Sequence, residues 1–394
     1  MIEPRLRFKA DDGSDFPDWE EKRLEDVVEF LDEKRKPLEA GKRVAGKYPY
    51  YGASGIIDYV EDYIFDEELI LLSEDGANIL DRNYRVCFLA KGKYWVNNHA
   101  HVMKAKKGNL NYFICEELET FDYRKYNSGG AQPKLNQASC RSIVVKIPSL
   151  PEQQKIADFL STIDTIIEKQ RATVLAWEER KKGVMQKLFS QEVRFKADDG
   201  SDFPDWEEKK INDIATCFAG ATPSTKIPEY WEDGTIQWMS SGEVNNGQIF
   251  ETEKRISKLG FDKCSTKMVK PNTVVIALAG QGKTRGMVAI TRTSLCTNQS
   301  LCAIETNTDI CDDYLYQYLQ LQYNNLRLIS SGDGTRGGLN LKLIGNYSVL
   351  IPSLPEQQKI ADCLSALDTV IEKQKETLEK WQELKKGLLQ QMFV

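Results

Sequence analysis

The chain contains two long internal repeats. The sixteen residues RFKADDGSDFPDWEEK run from 7 to 22 and recur unchanged from 194 to 209. A second sequence, IPSLPEQQKIAD, runs from Ile147 to Asp158 and again from Ile351 to Asp362. The offsets of 187 and 204 residues far exceed the repeat length of a solenoid. The repeats instead predict two modules related by a pseudo-twofold axis within one polypeptide.

The repeats divide the chain into four segments. Two modules, 1–147 and 194–351, are each followed by a segment that carries a long helix, 148–193 and 352–394. Inside the modules, short β-branched runs such as VVIALA and GMVAITRT are separated by glycine, and helical patterns are sparse. These features are typical of the strands and loops of a mixed α/β domain.

The segments after the modules are predicted to be helical because each has one early proline, Pro151 or Pro355, and none after it. Their apolar residues recur at steps of four and three, which is a coiled-coil pattern. They are Ile156, Leu160, Ile163, Ile167, Val174 and Trp177 in the first helix, and Ile360, Leu364, Leu367, Ile371, Leu378 and Trp381 in the second. Gln170 and Gln374 interrupt the pattern at equivalent places and are predicted to set the register.

Such a helix can bury its apolar stripe against the other helix or against its own module. A twofold axis would make the two helices antiparallel. The predicted fold class is therefore mixed α/β, with two pseudo-twofold-related α/β domains separated by two long antiparallel coiled-coil helices. Packing of each helix onto its own module is the alternative.

Composition excludes several classes of protein. No apolar run approaches 18 residues and the amino terminus is charged, so neither a membrane span nor a secretory signal is expected and the predicted location is cytoplasmic. The 9 cysteines are scattered without a C-x-x-C pair, which argues against disulfides and thiolate zinc sites. With only 2 histidines, the chain has few candidates for acid-base catalysis, and no metal site is predicted.

Charge is distributed unevenly along the chain, whose net charge is −6. Residues 81–147 hold 12 Lys and Arg against 5 Asp and Glu, and residues 254–304 hold 9 against 1. A local basic excess in both modules of an acidic protein favours contact with nucleic acid through one surface.

Both modules carry polar residues on glycine-containing loops, where side chains can reach base edges and the backbone can approach closely. In the first module the candidate DNA-binding residues are Tyr50, Tyr51, Ser54, Ser73, Asn78, Asn97, Asn98, His99, Gln132, Lys134 and Asn136. In the second they are Ser240, Ser241, Gln281, Lys283, Thr284, Arg285, Asn298, Gln299, Arg336, Asn340 and Lys342. Turn or cap roles are the alternative for any single asparagine or serine.

Two other functions stay open. The sequence ALAGQGKT, which ends at Thr284, resembles a relaxed P-loop and would make Lys283 part of an ATPase, although strand-like residues follow it where a helix is required. A symmetric protein-binding scaffold without a DNA role would also use a long coiled coil. Neither explains the basic excess of both modules.

Two dissimilar modules, each ending in a glycine loop, an L-N pair and I-P-S-L-P-E-Q-Q-K-I-A before a long helix, resemble the specificity subunit of a type I restriction-modification system. The resemblance covers essentially the whole chain and places the starts of the family's conserved helices at Pro151 to Ala157 and Pro355 to Ala361. It implies two target-recognition domains, each reading one half of a bipartite, asymmetric DNA site.

The resemblance also implies a division of labour. The chain would be non-catalytic and would hold no cofactor. Its partners would be double-stranded DNA, two modification subunits that carry S-adenosylmethionine for DNA methylation, and restriction subunits that carry ATP and Mg²⁺. No membrane partner is expected.

Overall fold

The computed structural model describes residues 4–130, 132–280, 282–330 and 338–393. They belong to two compact units: unit 1 is built from 1–172 and 376–394, and unit 2 from 173–375. These units differ from the four consecutive segments expected from the sequence, because each unit includes parts of both long helices.

Unit 1 is a mixed α/β unit that begins with the repeated opening sequence. Its strands are β1 (Glu20–Arg23), β2 (Val28–Phe30), β3 (Ala45–Gly52), β4 (Gly55–Val60), β5 (Phe65–Asp66), β6 (Leu69–Ser73), β7 (Cys87–Ala90), β8 (Lys93–Val96), β9 (Ala100–Ala105) and β10 (Val144–Ile147). Its helices are α1 (Leu24–Val27), α2 (Asn78–Asp81), α3 (Asn111–Thr120), α4 (Gln137–Arg141) and the first part of α5 (Leu150–Phe189), with 3-10 turns at Asp32–Lys34, Ala40–Lys42 and Tyr123–Tyr126.

Two sheets pack in layers in unit 1. One is antiparallel with the order β2-β9-β6-β7, and the other has the order β4-β3-β8-β5 with β3 and β8 parallel. All five residues of β6 are buried because both faces of its sheet are covered. Ile70 and Leu72 pack in the cluster that contains α3 and the long helices, whereas Leu69 and Leu71 pack with residues of the second sheet.

Unit 2 repeats this architecture with different residues. Its strands are β11 (Glu207–Lys210), β12 (Ala215–Ala219), β13 (Ile236–Met239), β14 (Gln248–Ile249), β15 (Lys254–Ile256), β16 (Met268–Val269), β17 (Val274–Ala277), β18 (Val288–Thr291), β19 (Leu295–Thr297), β20 (Leu301–Thr306) and β21 (Ser348–Ile351). Its helices are α6 (Ile211–Ile214), α7 (Lys258–Asp262), α8 (Asp312–Leu321), α9 (Tyr323–Leu328), α10 (Leu341–Gly345) and the first part of α11 (Leu354–Phe393), with 3-10 turns at Pro228–Tyr230 and Ser241–Asn246.

The sheets of unit 2 have the orders β12-β20-β17-β18-β14 and β15-β13-β19-β16, with β13 and β19 parallel. Strand β17 corresponds to β6: Val274 and Ile276 pack with the helices, and Val275 and Ala277 face the second sheet. The predicted mixed α/β fold is confirmed in both units.

Helices α5 and α11 each span 40 residues, as the repeated sequences predict. Within unit 2, Glu178 pairs with Lys375 and Lys181 pairs with Asp368, so residue numbers rise along one helix as they fall along the other. The helices are therefore antiparallel. The predicted heptad residues Val174, Ile360, Leu364 and Ile371 are buried, and Trp177 and Leu367 are half-buried.

Within unit 1, the apolar stripe of α5 packs in both of the ways that the sequence left open. Ile163 and Ile167 lie in one cluster with Leu378 and Trp381 of α11. The same cluster contains Ile156 and Leu160 together with Phe113, Leu118 and other module residues, so the start of α5 packs onto its own module as well. Gln170 and Gln374 are half-buried.

The two copies of the opening sequence are anchored identically. Arg7 donates from Nε and Nη2 to the Glu152 carboxylate at 3.0 and 2.8 Å, and Arg194 donates to Glu356 at the same distances. Both carboxylates are fully buried in the first turns of α5 and α11. The repeated sequence is thus a structural element that ties each module to the start of its following helix. Within the described ranges, no helix has the length and apolarity needed to cross a membrane.

Candidate nucleic-acid interface

Backbone hydrogen bonds bring the candidate loops of unit 1 together at one edge. Asn97 N donates to Tyr51 O at 3.0 Å, which joins the ends of the parallel strands β3 and β8. Glu74 N donates to His99 O at 2.9 Å, and Leu135 N donates to Glu74 O at 2.7 Å. Loops 50–54, 73–78, 97–99 and 132–136, predicted separately, therefore form one surface, which we call the unit 1 edge.

Unit 2 has the equivalent arrangement. Asn298 N donates to Met239 O at 3.1 Å and so joins the ends of the parallel strands β13 and β19. Leu278 N donates to Ser300 O at 2.8 Å, and Leu339 N donates to Leu278 O at 3.0 Å. Leu278 and Leu339 lie 204 residues after Glu74 and Leu135, which is the offset of the second repeat. We call the surface formed by residues 239–241, 278–280, 282–286, 298–300 and 338–342 the unit 2 edge.

Four candidate asparagines hold the shape of these loops. Asn97 Oδ1 accepts from His99 N at 2.8 Å, and Asn298 Oδ1 accepts from Ser300 N at 3.0 Å. Asn136 and Asn340 cap α4 and α10 by accepting from the backbone N–H three residues ahead. The turn-and-cap alternative thus describes their oxygens, although Asn136 and Asn340 remain exposed and keep their amide N–H groups on the surface.

Three further candidates lie in the interior and support the loops from beneath. Tyr50 is 1% exposed and its hydroxyl accepts from Leu38 N at 2.9 Å. Buried Ser73 donates to Ala53 O, and buried Asn78 donates to Tyr84 O. Their polar atoms bind the protein's own backbone, so we remove these three residues, with buried Asn97, from the set proposed to touch DNA.

The remaining candidates are available at the surface. In unit 1, Ser54, Asn98, His99, Gln132 and Lys134 are exposed and Tyr51 is half-buried. In unit 2, Lys283, Gln299 and Lys342 are exposed, and Ser240, Ser241, Thr284, Arg285 and Asn298 are partly exposed. Gln281 and Arg336 lie outside the described residues.

Most basic residues of residues 81–147 in unit 1 are paired with carboxylates. At least eight of the twelve basic residues in 81–147 form ion pairs with carboxylates: Arg82, Arg85, Lys91, Lys93, Lys104, Arg124, Lys134 and Arg141. At the unit 1 edge, Lys134 pairs with Glu74 at 3.3 Å and His99 with Asp75 at 2.8 Å. The local basic excess read from the sequence therefore overstates the positive charge of this edge.

The unit 2 edge keeps more of its positive charge. Lys283 and Lys342 are exposed and take part in no ion pair among the described residues. Uncompensated lysines suit phosphate contacts, whereas the paired side chains of unit 1 suit hydrogen-bonded base contacts.

The loop that resembles a P-loop is part of an antiparallel hairpin. Strands β17 and β18 pair directly, with Ile276 opposite Val288, and no helix follows the loop between them. Tyr323 Oη donates to Lys283 O at 2.7 Å, and Arg327 Nη1 donates to Gly282 O at 2.7 Å. A P-loop binds phosphate through the N-terminus of the helix that follows it, so the nucleotide-binding alternative lacks its required element.

Sequence reasoning missed a segment that crosses each edge. Lys36 is exposed, its N–H donates to Val96 O at 3.4 Å, and Trp95 Nε1 donates to Lys36 O at 2.6 Å. In unit 2, Thr222 donates to Gln299 Oε1 at 2.6 Å and is also exposed. The available signal was a proline, Pro37 or Pro223, at nearly the same distance after each copy of the opening sequence.

The two histidines have separate carboxylate partners. His99 Nδ1 lies 2.8 Å from Asp75, and His101 Nδ1 lies 2.7 Å from Asp32. Among the described residues, no three His, Cys, Asp or Glu side chains are arranged to hold a metal ion. Burial opposes the charged form of His101, but the hydrogen bonds and charge interactions with Asp32 and Cys140 together outweigh it and raise the pKa of His101 to about 10.

Paired edges on dissimilar modules define a two-domain DNA specificity protein, and comparison with known proteins agrees. The family model of the type I restriction modification DNA specificity domain matches residues 17–176 and 204–380. The chain therefore belongs to the family of type I restriction-modification specificity subunits.

Relatives of the chain carry the same description. The type I restriction enzyme MjaVIII specificity subunit of Methanocaldococcus jannaschii is 25% identical over 95% of this chain and 92% of that one. The MjaIX specificity subunit of the same organism is 34% identical, but that alignment spans 49% of this chain and 45% of the relative. The crystal structure of the S subunit from M. genitalium shares the fold, with a TM-score of 0.63 at 15% identity over 100% of this chain and 99% of that one.

Proposed function

We propose that the chain is the non-catalytic DNA-reading subunit of a type I restriction-modification complex, in which units 1 and 2 each recognise one half of a bipartite, asymmetric target. The observation that carries this proposal is the pair of equivalent edges. The same backbone hydrogen bonds, Leu135 N to Glu74 O and Leu339 N to Leu278 O, support different exposed side chains in the two units.

This combination suits asymmetric recognition. An equivalent backbone frame presents both edges to DNA in the same way, while the side chains differ at almost every exposed position. His99 and Lys134 with their carboxylates stand on one edge, and Lys283 and Gln299 on the other. Different sets of donors and acceptors read different bases, so the two half-sites differ in sequence.

The long helices support the subunit role. Apolar side chains on them stay exposed, including Phe159 at 37%, Leu175 at 57% and Leu384 at 47%. Exposed apolar side chains on an otherwise charged helix suit docking to another protein. We propose two modification subunits as partners, which would supply S-adenosylmethionine, and restriction subunits, which would supply ATP and Mg²⁺. The scaffold alternative leaves the two equivalent polar edges without a role.

Co-expression tests this function. The chain is produced together with the proteins encoded by its neighbouring genes, and host DNA is sequenced for N6-methyladenine with and without the chain. A single bipartite motif that is methylated only when the chain is present supports the proposal. Assembly with the modification subunit but no motif would favour the scaffold.

A further inference from the structure

A buried charged pair lies directly beneath the unit 1 edge. His101 is 1% exposed, and its two ring nitrogens contact different elements. Nδ1 lies 2.7 Å from Asp32 Oδ2 in the 3-10 turn, and Nε2 lies 2.8 Å from Leu135 O in the loop before α4. The ring therefore bridges the floor of the edge and one of its loops.

Both ring nitrogens of His101 act as donors. A carbonyl oxygen can only accept, so Nε2 carries a hydrogen. Asp32 also accepts from Val102 N at 2.8 Å and Gln137 Nε2 at 2.9 Å, which is the environment of an ionised carboxylate. Burial opposes this ionisation, but the hydrogen bond and charge of His101, the hydrogen bond from Val102 N and the charge of Arg35 together outweigh it and lower the pKa of Asp32. His101 is thus an imidazolium that donates in two directions.

The loop that His101 contacts carries exposed candidate DNA-binding residues. Leu135 N donates to Glu74 O while Leu135 O accepts from His101, so the peptide units on both sides of Leu135 are held. Lys134 precedes Leu135 and Asn136 follows it, and both are exposed on the edge. A shift of the backbone at Leu135 would therefore move the side chains of Lys134 and Asn136 together.

We propose that His101 is a positioning residue for DNA recognition by unit 1: by donating to Leu135 O, it fixes the loop that presents Lys134 and Asn136 to one half-site. This inference rests on the proposed function. It deepens that function by assigning a specificity role to a side chain that cannot touch DNA itself.

Unit 2 has no histidine at the position equivalent to His101. Leu72 pairs with His101 in the register of β6 and β9, and Ile276 pairs with Cys302 in the matching register of β17 and β20. Cys302 therefore occupies the place of His101 and is fully buried. A thiol is a weak donor without charge, so the effect of His101 belongs to unit 1 alone.

Two variants separate positioning from stability. H101L leaves the Asp32 carboxylate buried without its nearest cation, with Arg35 Nη2 3.6 Å away, and is expected to destabilise unit 1. D32N/H101L also removes that charge and should recover part of the lost stability. A leucine side chain carries no donor, so the hydrogen bond to Leu135 O is lost in both variants. C302A, at the equivalent place in unit 2, is the matched control.

Hydrogen exchange tests, without DNA, whether His101 fixes the loop that contains Leu135. In the folded D32N/H101L chain, the amides of residues 132 and 134–136 should exchange about tenfold faster, while those of β9 change less than about twofold. C302A should leave the exchange of these amides unchanged. Equal exchange in wild type and D32N/H101L would overturn the positioning role.

Methylation by the assembled complex tests whether His101 affects the recognition of one half-site by unit 1. The half-site read by unit 1 is identified by exchanging residues 24–146. D32N/H101L is expected to lower methylation about tenfold at sites with that half intact, or to admit altered bases in that half, with the other half-site read as before. Equal relaxation of both half-sites, or none, would overturn the inference. Failure of wild type to give any motif would instead defeat the proposed function.

Discussion

Lys181 Nζ lies 2.6 Å from Asp368 Oδ1, and this ion pair joins the end of α5 to the early part of α11 within unit 2. The residues 204 positions from each, Lys385 and Asp164, form a pair of the same length within unit 1. Both lysine side chains are about nine-tenths buried, at 11% and 8% exposure. The repeat therefore specifies the pairing register of the helices twice.

Reversal of the charge at Lys181 should destabilise the packing of α5 against α11 in unit 2. K181D places two carboxylates together and is expected to destabilise unit 2 by about 3 kcal/mol. K181D/D368K restores opposite charges and should recover most of that loss. Thermal unfolding of the two variants measures the difference. K182D, at an exposed lysine whose pair with Glu179 is 3.7 Å long, should cost less than about 0.5 kcal/mol. Equal losses in K181D and the double variant would contradict the assignment.

The helices could be predicted from sequence, but their register could not. Heptad spacing and the two prolines give the helix bounds to within a few residues, since periodicity and capping are local properties. Gln170 and Gln374 were expected to set the register because they interrupt the seam. The Lys181 to Asp368 pair joins residues far apart in the chain and beside the seam, where spacing carries no signal.

In the candidate site too, contacts between residues far apart in the chain could not be predicted from the sequence. Glycine with polar residues marks a surface turn, and the structure brings the predicted loops together; that they contact DNA stays a prediction. Whether Ser73 or Ser54 faces outward depends on the strand register, and only Ser54 is exposed. The sequence did not indicate the role of His101, because its partner Asp32 lies in a separate segment of the chain.

The arginine anchors of the two opening sequences should differ in importance despite their equal geometry. R7A leaves Glu152 buried without its cation, and a loss of about 3 kcal/mol is expected. R194A should cost less, because Trp206 Nε1 still donates to Glu356 at 3.1 Å. Trp19 Nε1, at the equivalent place, makes no hydrogen bond within the described chain. Denaturant unfolding of both variants checks this order. A larger loss in R194A than in R7A would contradict it.

The His101 pair makes stability depend on pH in a defined direction. The pKa of His101 is raised from 6.5 to about 10 in the folded chain, so its contribution is fully present below pH 6.5 and declines until about pH 10. Its surroundings include Asp32, Arg35, Cys140 and Glu74, whose carboxylate lies 3.9 Å from Nδ1.

The measurement compares wild type with D32N/H101L. The difference in their free energies of unfolding should shrink steadily between pH 6.5 and 10. Burial also raises the pKa of Glu117, to about 8, so stability falls between pH 4.5 and 8 for a second reason. Glu117 is present in both chains, and its effect cancels in the difference. A difference that stays constant over this range would contradict the charged state of His101.

Lys283 should act through phosphate. K283A is expected to weaken DNA binding by the assembled complex at low salt and to reduce the slope of log K against log salt by about 1. ATP binding to the chain should be absent before and after the change. K258A, at an exposed lysine paired with Asp262, is the matched control and should leave the slope unchanged. Saturable ATP binding that K283A abolishes would restore the nucleotide-binding alternative.

Exchange of one module tests the central claim most directly. Residues 24–146 are replaced by the corresponding segment of a relative with a different target, and the methylated motif is sequenced in cells that also produce the modification subunit. The account predicts that one half-site changes and the other is kept. A motif altered in both halves, or in neither, would contradict independent reading by the two units.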